Sequence, residues 1–286
     1  MQQRDITVDD PLDDFDARQV TLEGVTRTVY VAAHGTNPGP AVIVMHEMPG
    51  ITPAVARFAR WVVDAGFSVY MPSLFGRDGA VVSADEGVET FQRMCVSAEF
   101  SALASGRSSK ITGWLRALAR LAHAERGGPG VGAVGMCFTG NFGLTMMLEP
   151  AVLAPILCEP ALPLNDEAGL EISPDELKQV RARMEKENLK VIAFRFRDDP
   201  FCKAARFASY EAALGDRFEG HVLPDESANR DVSPFFARQV PSPHSVVTEN
   251  LVDRAGEPTL RARDQMLAFL AERLQRGTVT GPATAA

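Results

Sequence analysis

Cys137 is the residue whose type and surroundings most strongly indicate chemistry. Residues 135–140 read Gly-Met-Cys-Phe-Thr-Gly and lie between an apolar strand predicted at 131–135 and a helix predicted at 138–148. This is close to the nucleophile-elbow pattern, with cysteine in place of serine and Thr139 where the second glycine usually stands. A nucleophile at such a junction occupies a sharp, strained turn that exposes its side chain at the edge of the sheet.

Two local features would activate a thiol at this position. The dipole and free amides of the following helix N-terminus should lower the pKa of Cys137. The backbone N–H of Phe138 can help to hold an oxyanion. The alternative interpretation is that Cys137 is a structural cysteine, because free cysteines are among the most buried residues. The strand-turn-helix context favours catalysis.

The glycines just before the elbow match a second pattern. Residues 130–135 read Gly-Val-Gly-Ala-Val-Gly, as in dinucleotide-binding sites. In those sites the glycines follow a strand and open a helix, and an acidic residue further on binds the ribose. Here the glycines precede and occupy the predicted strand, and no acidic residue stands in that place. We therefore predict no nicotinamide or flavin cofactor.

A cysteine nucleophile needs a base, and in a triad of this kind the acid and then the histidine follow the nucleophile. Of the five histidines, His221 and His244 follow Cys137. His221 lies inside the last predicted strand, whereas His244 lies in an irregular segment after it. Catalytic residues concentrate on loops above a rigid sheet, which favours His244, although a surface histidine is the alternative. Asp198 and Asp199 follow the preceding strand, and either carboxylate could orient the imidazole.

The elements that must position these residues alternate between strand and helix. A β-hairpin is predicted at 19–32, further strands at 41–46, 66–71, 131–135, 152–157, 191–196 and 220–223, and helices at 52–64, 109–125, 138–148, 174–187, 204–214 and 260–274. This order predicts an α/β fold with a mostly parallel central sheet and helices on both faces. We expect an N-terminal arm at 1–16, a single domain at 17–276 and a flexible tail at 277–286.

Composition excludes several classes of partner and site. The formal net charge of -8 disfavours nucleic acid and anionic lipid. The four cysteines, Cys95, Cys137, Cys158 and Cys202, form no close pair, so we predict no metal site of the zinc-finger type. The apolar runs are too short to span a bilayer, and the first residues lack a signal-peptide pattern. These features favour a soluble, cytoplasmic monomer or homodimer.

Several segments in order resemble the dienelactone hydrolase family of α/β-hydrolases. Residues 41–50, Ala-Val-Ile-Val-Met-His-Glu-Met-Pro-Gly, are similar to the family's first central strand, and residues 65–77 are similar to its next strand and Pro-x-Leu-aromatic turn. The likeness runs from about Val20 to Leu274. It implies that Cys137 is the nucleophile and His244 the base.

The resemblance also implies roles for three other residues. Asp199 matches the family aspartate better than Asp198 does, because it is followed by Pro200 and Phe201. Glu47 matches a glutamate that holds the resting thiol and is displaced when substrate arrives. The Met48 amide matches the second oxyanion donor, beside that of Phe138.

The sequence departs from the family pattern around the histidine. In well-known members the histidine is followed by Ser-Phe-x-Arg, and the arginine helps to bind a substrate carboxylate. Here Ser245-Val246-Val247 follows His244, and no arginine is present. Arg77, Arg93 and Arg230 are candidates for another substrate-binding cation. The long segment from residue 224 to residue 243 is expected to reshape the pocket.

These inferences predict an enzyme that hydrolyses small esters or lactones through Cys137, His244 and Asp199, with a thioester intermediate and no metal or organic cofactor. Two alternatives remain. One is an acyl or thioester transferase that uses the same site, because transfer depends on which acceptor enters. The other is a binding protein that keeps the fold without turnover.

Overall fold

The computed structural model of the protein describes residues 1–35, 39–100, 102–103 and 105–275. Eight strands form one sheet in the order β1-β2-β4-β3-β5-β6-β7-β8. They are β1 (Asp16–Leu22), β2 (Val25–Ala33), β3 (Ala41–Met45), β4 (Ser68–Pro72), β5 (Val131–Met136), β6 (Val152–Cys158), β7 (Val191–Phe196) and β8 (Phe218–Leu223). The β1-β2 hairpin and the β2-β4 pair are antiparallel, and every other pair is parallel.

The helices lie on both faces of the sheet. They are α1 (Pro53–Asp64), α2 (Ala84–Cys95), α3 (Ile111–Arg126), α4 (Phe142–Met146), α5 (Pro174–Glu187), α6 (Ala204–Leu214), α7 (Pro234–Gln239) and α8 (Pro258–Leu274). One apolar core includes side chains of α3 and α5, and the other includes side chains of α1 and α8. The central strands are buried along their whole length, as expected for parallel strands covered on both faces. The predicted fold class is confirmed.

The structure differs from the prediction in three helices. The helix predicted at 138–148 is a single 3₁₀ turn, Cys137–Thr139, followed by the five-residue α4. Helices α2 and α7 were not predicted. The signal for α2 was Ser83, whose hydroxyl accepts the Glu86 N–H as an N-cap. The signal for α7 was Ser233 before Pro234, since proline suits the first turn of a helix.

The N-terminal segment is attached to α1 by a buried guanidinium. Arg60 is fully buried and donates to Asp10 and Asp14, with Nη1 2.6 Å from Asp10 Oδ2 and Nε 2.8 Å from Asp14 Oδ2. Its guanidinium also lies over the ring of Phe15. Removing one partner from a buried ion pair leaves an uncompensated charge, so this contact ties residues 10–15 to the domain. The predicted tail at 277–286 lies outside the described residues.

Among the described residues, no helix combines the length and the apolar character needed to cross a membrane.

Candidate active site

Cys137 stands at the carboxyl end of β5 on a strained turn. Its φ is +50°, in the left-handed region that non-glycine residues rarely occupy. The turn requires glycine on both sides. A Cβ on Gly135 would lie 2.2 Å from the carbonyl oxygen of Thr139, and a Cβ on Gly140 would lie 2.5 Å from Cα of Pro160. The backbone therefore passes so closely on both sides of Cys137 that only glycine fits at these two positions.

Thr139, in place of the usual second glycine, fastens the elbow to the neighbouring strand. Its Oγ1 accepts the N–H of Met136 at 3.0 Å and lies 3.1 Å from the carbonyl of Met45 and 3.2 Å from that of His46. These contacts join the end of β5 to the end of β3. The nucleophile is therefore fixed relative to Glu47, the residue that follows His46.

His244 is held by Asp199 in the arrangement that a catalytic base requires. Nδ1 of His244 lies 2.9 Å from Oδ1 and 2.8 Å from Oδ2 of Asp199, and both side chains are buried. Asp199 Oδ1 also accepts the N–H groups of Phe201 and Cys202, each at 2.8 Å. These bonds fix the carboxylate, which in turn orients the imidazole. Asp198 is exposed, and its backbone N–H donates to Asp225.

The other ring nitrogen of His244 is directed to the cavity that Cys137 lines. Nε2 is buried and has no hydrogen-bond partner of standard geometry within the described residues. Cys137 and His244 line the same cavity, and the charges of the two groups interact. The structure thus brings together three of the residues selected from the sequence.

The pKa of Cys137 differs from the value expected from the sequence. Burial raises the pKa of the Cys137 thiol, although His244 acts in the opposite direction and lowers it. The predicted lowering of this pKa is therefore wrong, because burial of the thiol outweighs the effect of His244. Burial disfavours imidazolium, but Asp199 and Cys137 outweigh it and raise the pKa of His244 well above its usual value.

Glu47 lies at the end of β3 and is fully buried. Its two carboxylate oxygens accept the hydroxyls of Ser245 and Thr248, one oxygen for each hydroxyl. Burial raises the pKa of Glu47 to about 7, and the two hydroxyl donors act in the opposite direction. Its carboxylate acts on the sulfur of Cys137 by raising the thiol's pKa. In this conformation Glu47 binds the segment that carries His244.

Glu159 is a buried acid that the sequence analysis missed. It follows β6 with a φ of +35°, and its Oε2 accepts the N–H of Val246 at 3.1 Å. Its Oε1 is buried without a hydrogen-bond partner among the described residues. Burial raises its pKa well above the usual value, while the charge of His244 lowers it. A single glutamate after a strand carried no pattern that could have indicated this position.

The segment from residue 244 to residue 250 is thus fixed by several groups. Besides the bonds from Glu47 and Glu159, Oδ1 of Asn250 accepts the N–H groups of His244 at 2.9 Å and Ser245 at 3.0 Å. Because each bond reaches a different part of the segment, the base has little freedom to move away from Asp199.

His46 supports the other side of the site. Its Nδ1 lies 3.0 Å from the carbonyl of Glu47, and its Nε2 accepts the N–H of Leu74 at 3.0 Å. Burial lowers the pKa of His46 to about 4, so the ring is neutral at physiological pH. A neutral ring with Nδ1–H matches both bonds, and it fixes the backbone just before the predicted oxyanion donor Met48.

The cavity at Cys137 is enclosed mostly by apolar side chains. Its volume is about 220 Å³. Helices α2 and α7 form part of its wall, through Val88 and Phe91 and through Phe235, Phe236 and Gln239. The remaining lining residues are Met48, Cys137, Phe138, Ala161, Leu164, Phe201, Val240 and His244. The predicted oxyanion donors Met48 and Phe138 are therefore at the cavity, as is the segment expected to reshape it.

The candidate arginines lie elsewhere. Arg77 is exposed and pairs with Glu86 and Asp9. Arg93 is exposed at the end of α2, where it donates to Thr90, and Arg230 is exposed and donates to a backbone carbonyl. None of the three lines the cavity.

The second histidine considered as the base is also remote. His221 lies in the edge strand β8, stacked on Phe194 with ring centroids 4.6 Å apart, and its Nε2 lies 3.1 Å from Glu219. It is not among the residues that line the cavity at Cys137. The preference for His244 agrees with this placement.

Known proteins with the same fold include members of the dienelactone hydrolase family. Residues 27–163 match the dienelactone hydrolase family model, whereas no curated protein sequence matches the chain significantly. A dienelactone hydrolase from Anabaena variabilis superposes with a TM-score of 0.55 at 11% identity, over 91% of this chain and 99% of that one.

Two structures from metagenomic libraries are similarly related. A dienelactone hydrolase-like promiscuous phosphotriesterase gives a TM-score of 0.61 at 18% identity, over 91% of this chain and 99% of that one. A cold-adapted esterase from an Arctic intertidal library gives 0.57 at 14% identity, over 95% and 96%. At these identities the likeness concerns the fold.

The resemblance predicted from the sequence is confirmed by the family match. That match and the α/β-hydrolase fold together support a hydrolase with similarity to the dienelactone hydrolase family.

Proposed function

We propose that the protein hydrolyses small carboxylic esters or lactones, with Cys137 as nucleophile and His244 as general base and acid. One observation carries the proposal. Asp199 fixes Nδ1 of His244, and the remaining buried nitrogen, Nε2, has no hydrogen-bond partner of standard geometry among the described residues and lies on a side chain that lines the cavity with Cys137. This is the arrangement in which a base can take a proton from a nucleophile and return it to a leaving group.

In the first half-reaction, Nε2 of His244 takes the thiol proton and the sulfur of Cys137 attacks the carbonyl carbon. The carbonyl oxygen becomes an oxyanion, for which the N–H groups of Met48 and Phe138 are the proposed donors. Asp199 stabilises the imidazolium that forms. As the intermediate collapses, His244 protonates the leaving oxygen, and an alcohol departs from the thioester.

In the second half-reaction, water replaces the alcohol. His244 takes a proton from water, whose oxygen attacks the thioester carbonyl, and the same two backbone donors hold the oxyanion. Collapse breaks the carbon–sulfur bond, and the proton on His244 returns to the sulfur. The products are a carboxylic acid and the free thiol, so no redox partner is required.

Glu47 has a supporting role in this proposal. Ionised Glu47 near the sulfur disfavours the thiolate and keeps the resting thiol protonated, in agreement with its effect on the pKa of Cys137. Its bonds to Ser245 and Thr248 stabilise the segment that carries the base. If the Glu47 carboxylate moved between the Cys137 thiol and the segment 244–250, activation of the nucleophile would be coupled to the positioning of His244.

Turnover of p-nitrophenyl acetate tests the proposal. We expect the wild-type protein to release p-nitrophenol, and Cys137→Ala to retain less than a hundredth of that kcat/KM. Cys95→Ala is the matched control, because Cys95 is also partly exposed but lies away from the cavity. Intact-mass measurement during turnover should detect one acetyl group on the wild type and none on Cys137→Ala. Equal activity of wild type and Cys137→Ala would refute the proposal.

The same assay separates hydrolysis from acyl transfer. With alcohol or amine acceptors added, a hydrolase should still release mostly acetate. Predominant formation of the acetyl ester or amide would identify a transferase. A protein that binds esters without acetyl-enzyme formation or product release would be the non-catalytic alternative.

A further inference from the structure

Among the described residues, none that lines the cavity at Cys137 carries a charged side chain apart from the proposed base. Of its thirteen lining residues, ten are apolar, and the other three are Cys137, His244 and Gln239. A substrate carboxylate buried there would lose its hydration, and the cationic group that the lining offers, His244, is already paired with Asp199. Burial of an unpaired charge is strongly unfavourable. The protein's net charge of -8 adds a repulsive field for anions.

Helix α7 forms the wall that gives the cavity this character. Its Phe235 and Phe236 are buried, and Gln239 completes its contribution to the lining. The helix lies so close to α2 that a Cβ on Gly87 would come within 2.1 Å of the Phe235 ring. The N–H of Ser233, just before the helix, donates to Glu249 at 2.9 Å.

Helix α7 also forms an exposed ion pair on the side away from the cavity. Arg238 lies 2.9 Å from Asp85 of α2, and both residues are exposed. The cationic side chain of α7 is thus directed to α2 and solvent, while the aromatic rings and the uncharged amide face the cavity. The helix therefore supplies apolar surface and no positive charge to the site.

The size of the cavity limits the substrate as well. Its volume of about 220 Å³ is below the range of roughly 300–1,000 Å³ typical of sites for drug-sized ligands. This space suits a short acyl chain.

We propose that the site accepts neutral esters with a short apolar acyl chain and excludes acyl groups that end in a carboxylate. This inference rests on the proposed function and names its substrate class. Selectivity comes from the absence of a cation at the apolar wall, so it should be reversible by placing one there. Gln239 is the suitable position, because it is the polar residue that α7 contributes to the cavity.

Matched substrates test the proposal. Methyl butyrate and monomethyl succinate differ by a methyl group against a carboxylate at the end of the acyl chain, and neutral dimethyl succinate controls for size. Methyl esters are chosen because methoxide is a poor leaving group, so the succinate carboxylate does not expel it by forming the cyclic anhydride. At pH 7.5, with methanol release as the readout, we expect kcat/KM for butyrate to exceed that for the succinate anion by at least 100-fold, with dimethyl succinate closer to butyrate. A ratio of kcat/KM for butyrate to that for the succinate anion below tenfold would overturn the proposal. Equally low kcat/KM values for the charged and the neutral succinate would also overturn it.

A charge variant tests the physical cause. Gln239→Arg should reduce the preference for butyrate over the succinate anion at least tenfold. The matched control, Gln92→Arg, places the same charge on an exposed position of α2 outside the cavity, and its preference should equal the wild-type value. If both variants change the preference equally, the effect is one of net charge, and the proposal is wrong.

A chemical probe keeps this test independent of ester turnover. N-propyl iodoacetamide and N-(2-carboxyethyl) iodoacetamide present the same reactive carbon and a neutral or anionic chain. Relative to 2-mercaptoethanol, Cys137 should react at least 20-fold more slowly with the anionic reagent than with the neutral one, as read by peptide mass mapping. Equal relative rates overturn the selectivity. Selective alkylation without any ester turnover would instead refute the proposed function and leave the pocket's charge preference standing.

Discussion

Both carboxylate oxygens of Asp199 lie within 2.9 Å of Nδ1 of His244, while the neighbouring Asp198 is exposed. This difference between adjacent aspartates gives a matched pair of variants. Asp199→Asn should lower kcat for p-nitrophenyl acetate by about 10³-fold or more, because an amide can favour the wrong imidazole tautomer. Asp198→Asn should leave kcat within twofold of wild type. Equal losses in both variants would contradict the assignment.

A pH dependence of stability follows from Glu47. Its pKa of about 7 in the folded protein exceeds its ordinary value of 4.5. The folded protein therefore holds this proton more tightly than the unfolded chain does, and the contribution of Glu47 to stability decreases as pH rises from about 4.5 to about 7. Glu47→Gln removes the ionisation. Relative to wild type, it should gain about 1–3 kcal/mol in the free energy of unfolding between pH 5 and pH 8.

Urea denaturation at the two pH values measures this effect. Glu226→Gln, at an exposed position, serves as the control and should show no such difference. If Glu47→Gln and wild type lose stability in parallel between pH 5 and pH 8, Glu47 does not change protonation on unfolding in this range.

The hydroxyl of Thr139 gives a test of the link between β5 and β3. Thr139→Val keeps the shape but leaves the buried Met136 N–H without its acceptor, at a cost of about 1–3 kcal/mol in the free energy of unfolding. The elbow would also lose its bonds to the carbonyls at the end of β3, so kcat should fall by at least tenfold. Thr139→Ser retains the hydroxyl and should recover most of both. Failure of serine to recover either quantity would assign the role to the methyl group.

The N-terminal segment should affect stability without affecting catalysis. Arg60→Met removes the buried guanidinium and leaves Asp10 with Arg4 as its cationic partner among the described residues, and we expect a loss of about 3 kcal/mol in the free energy of unfolding with kcat nearly unchanged. Arg77→Met removes an exposed pair with Glu86 and should cost less than about 1 kcal/mol. A marked rise in KM for Arg77→Met would return this arginine to the substrate-binding candidates.

Cys137 and Asp199 could be selected from the sequence because each follows a strand that the apolar pattern predicts. Strand ends in a parallel sheet share one edge, so Cys137 and Asp199 had to lie near each other. The choice of Asp199 over Asp198 needed the family resemblance, since the two residues are equivalent in pattern. The structure separates them by burial.

Other parts of the site had no local signal. Glu159 and the bonds from Glu47 to Ser245 and Thr248 join residues far apart in sequence, and no spacing rule connects them. The thiol pKa depends on burial by the whole fold, so a motif alone gave the wrong direction. Helix α7, which the sequence analysis did not predict, is six residues long, and a helix of this length is too short to be recognised by its apolar periodicity.

The placement of Pro234–Gln239 has a consequence for how this enzyme could change its substrate. One continuous stretch of six residues supplies three lining side chains of the cavity, yet it contains none of Cys137, Asp199 and His244. Grafting a different hexapeptide there would exchange the acyl-binding surface as a cassette while the reacting groups stay in place. Such a graft would have to retain Gly87 of α2, because the space left by its missing side chain accommodates the ring of Phe235 at the position of the grafted helix.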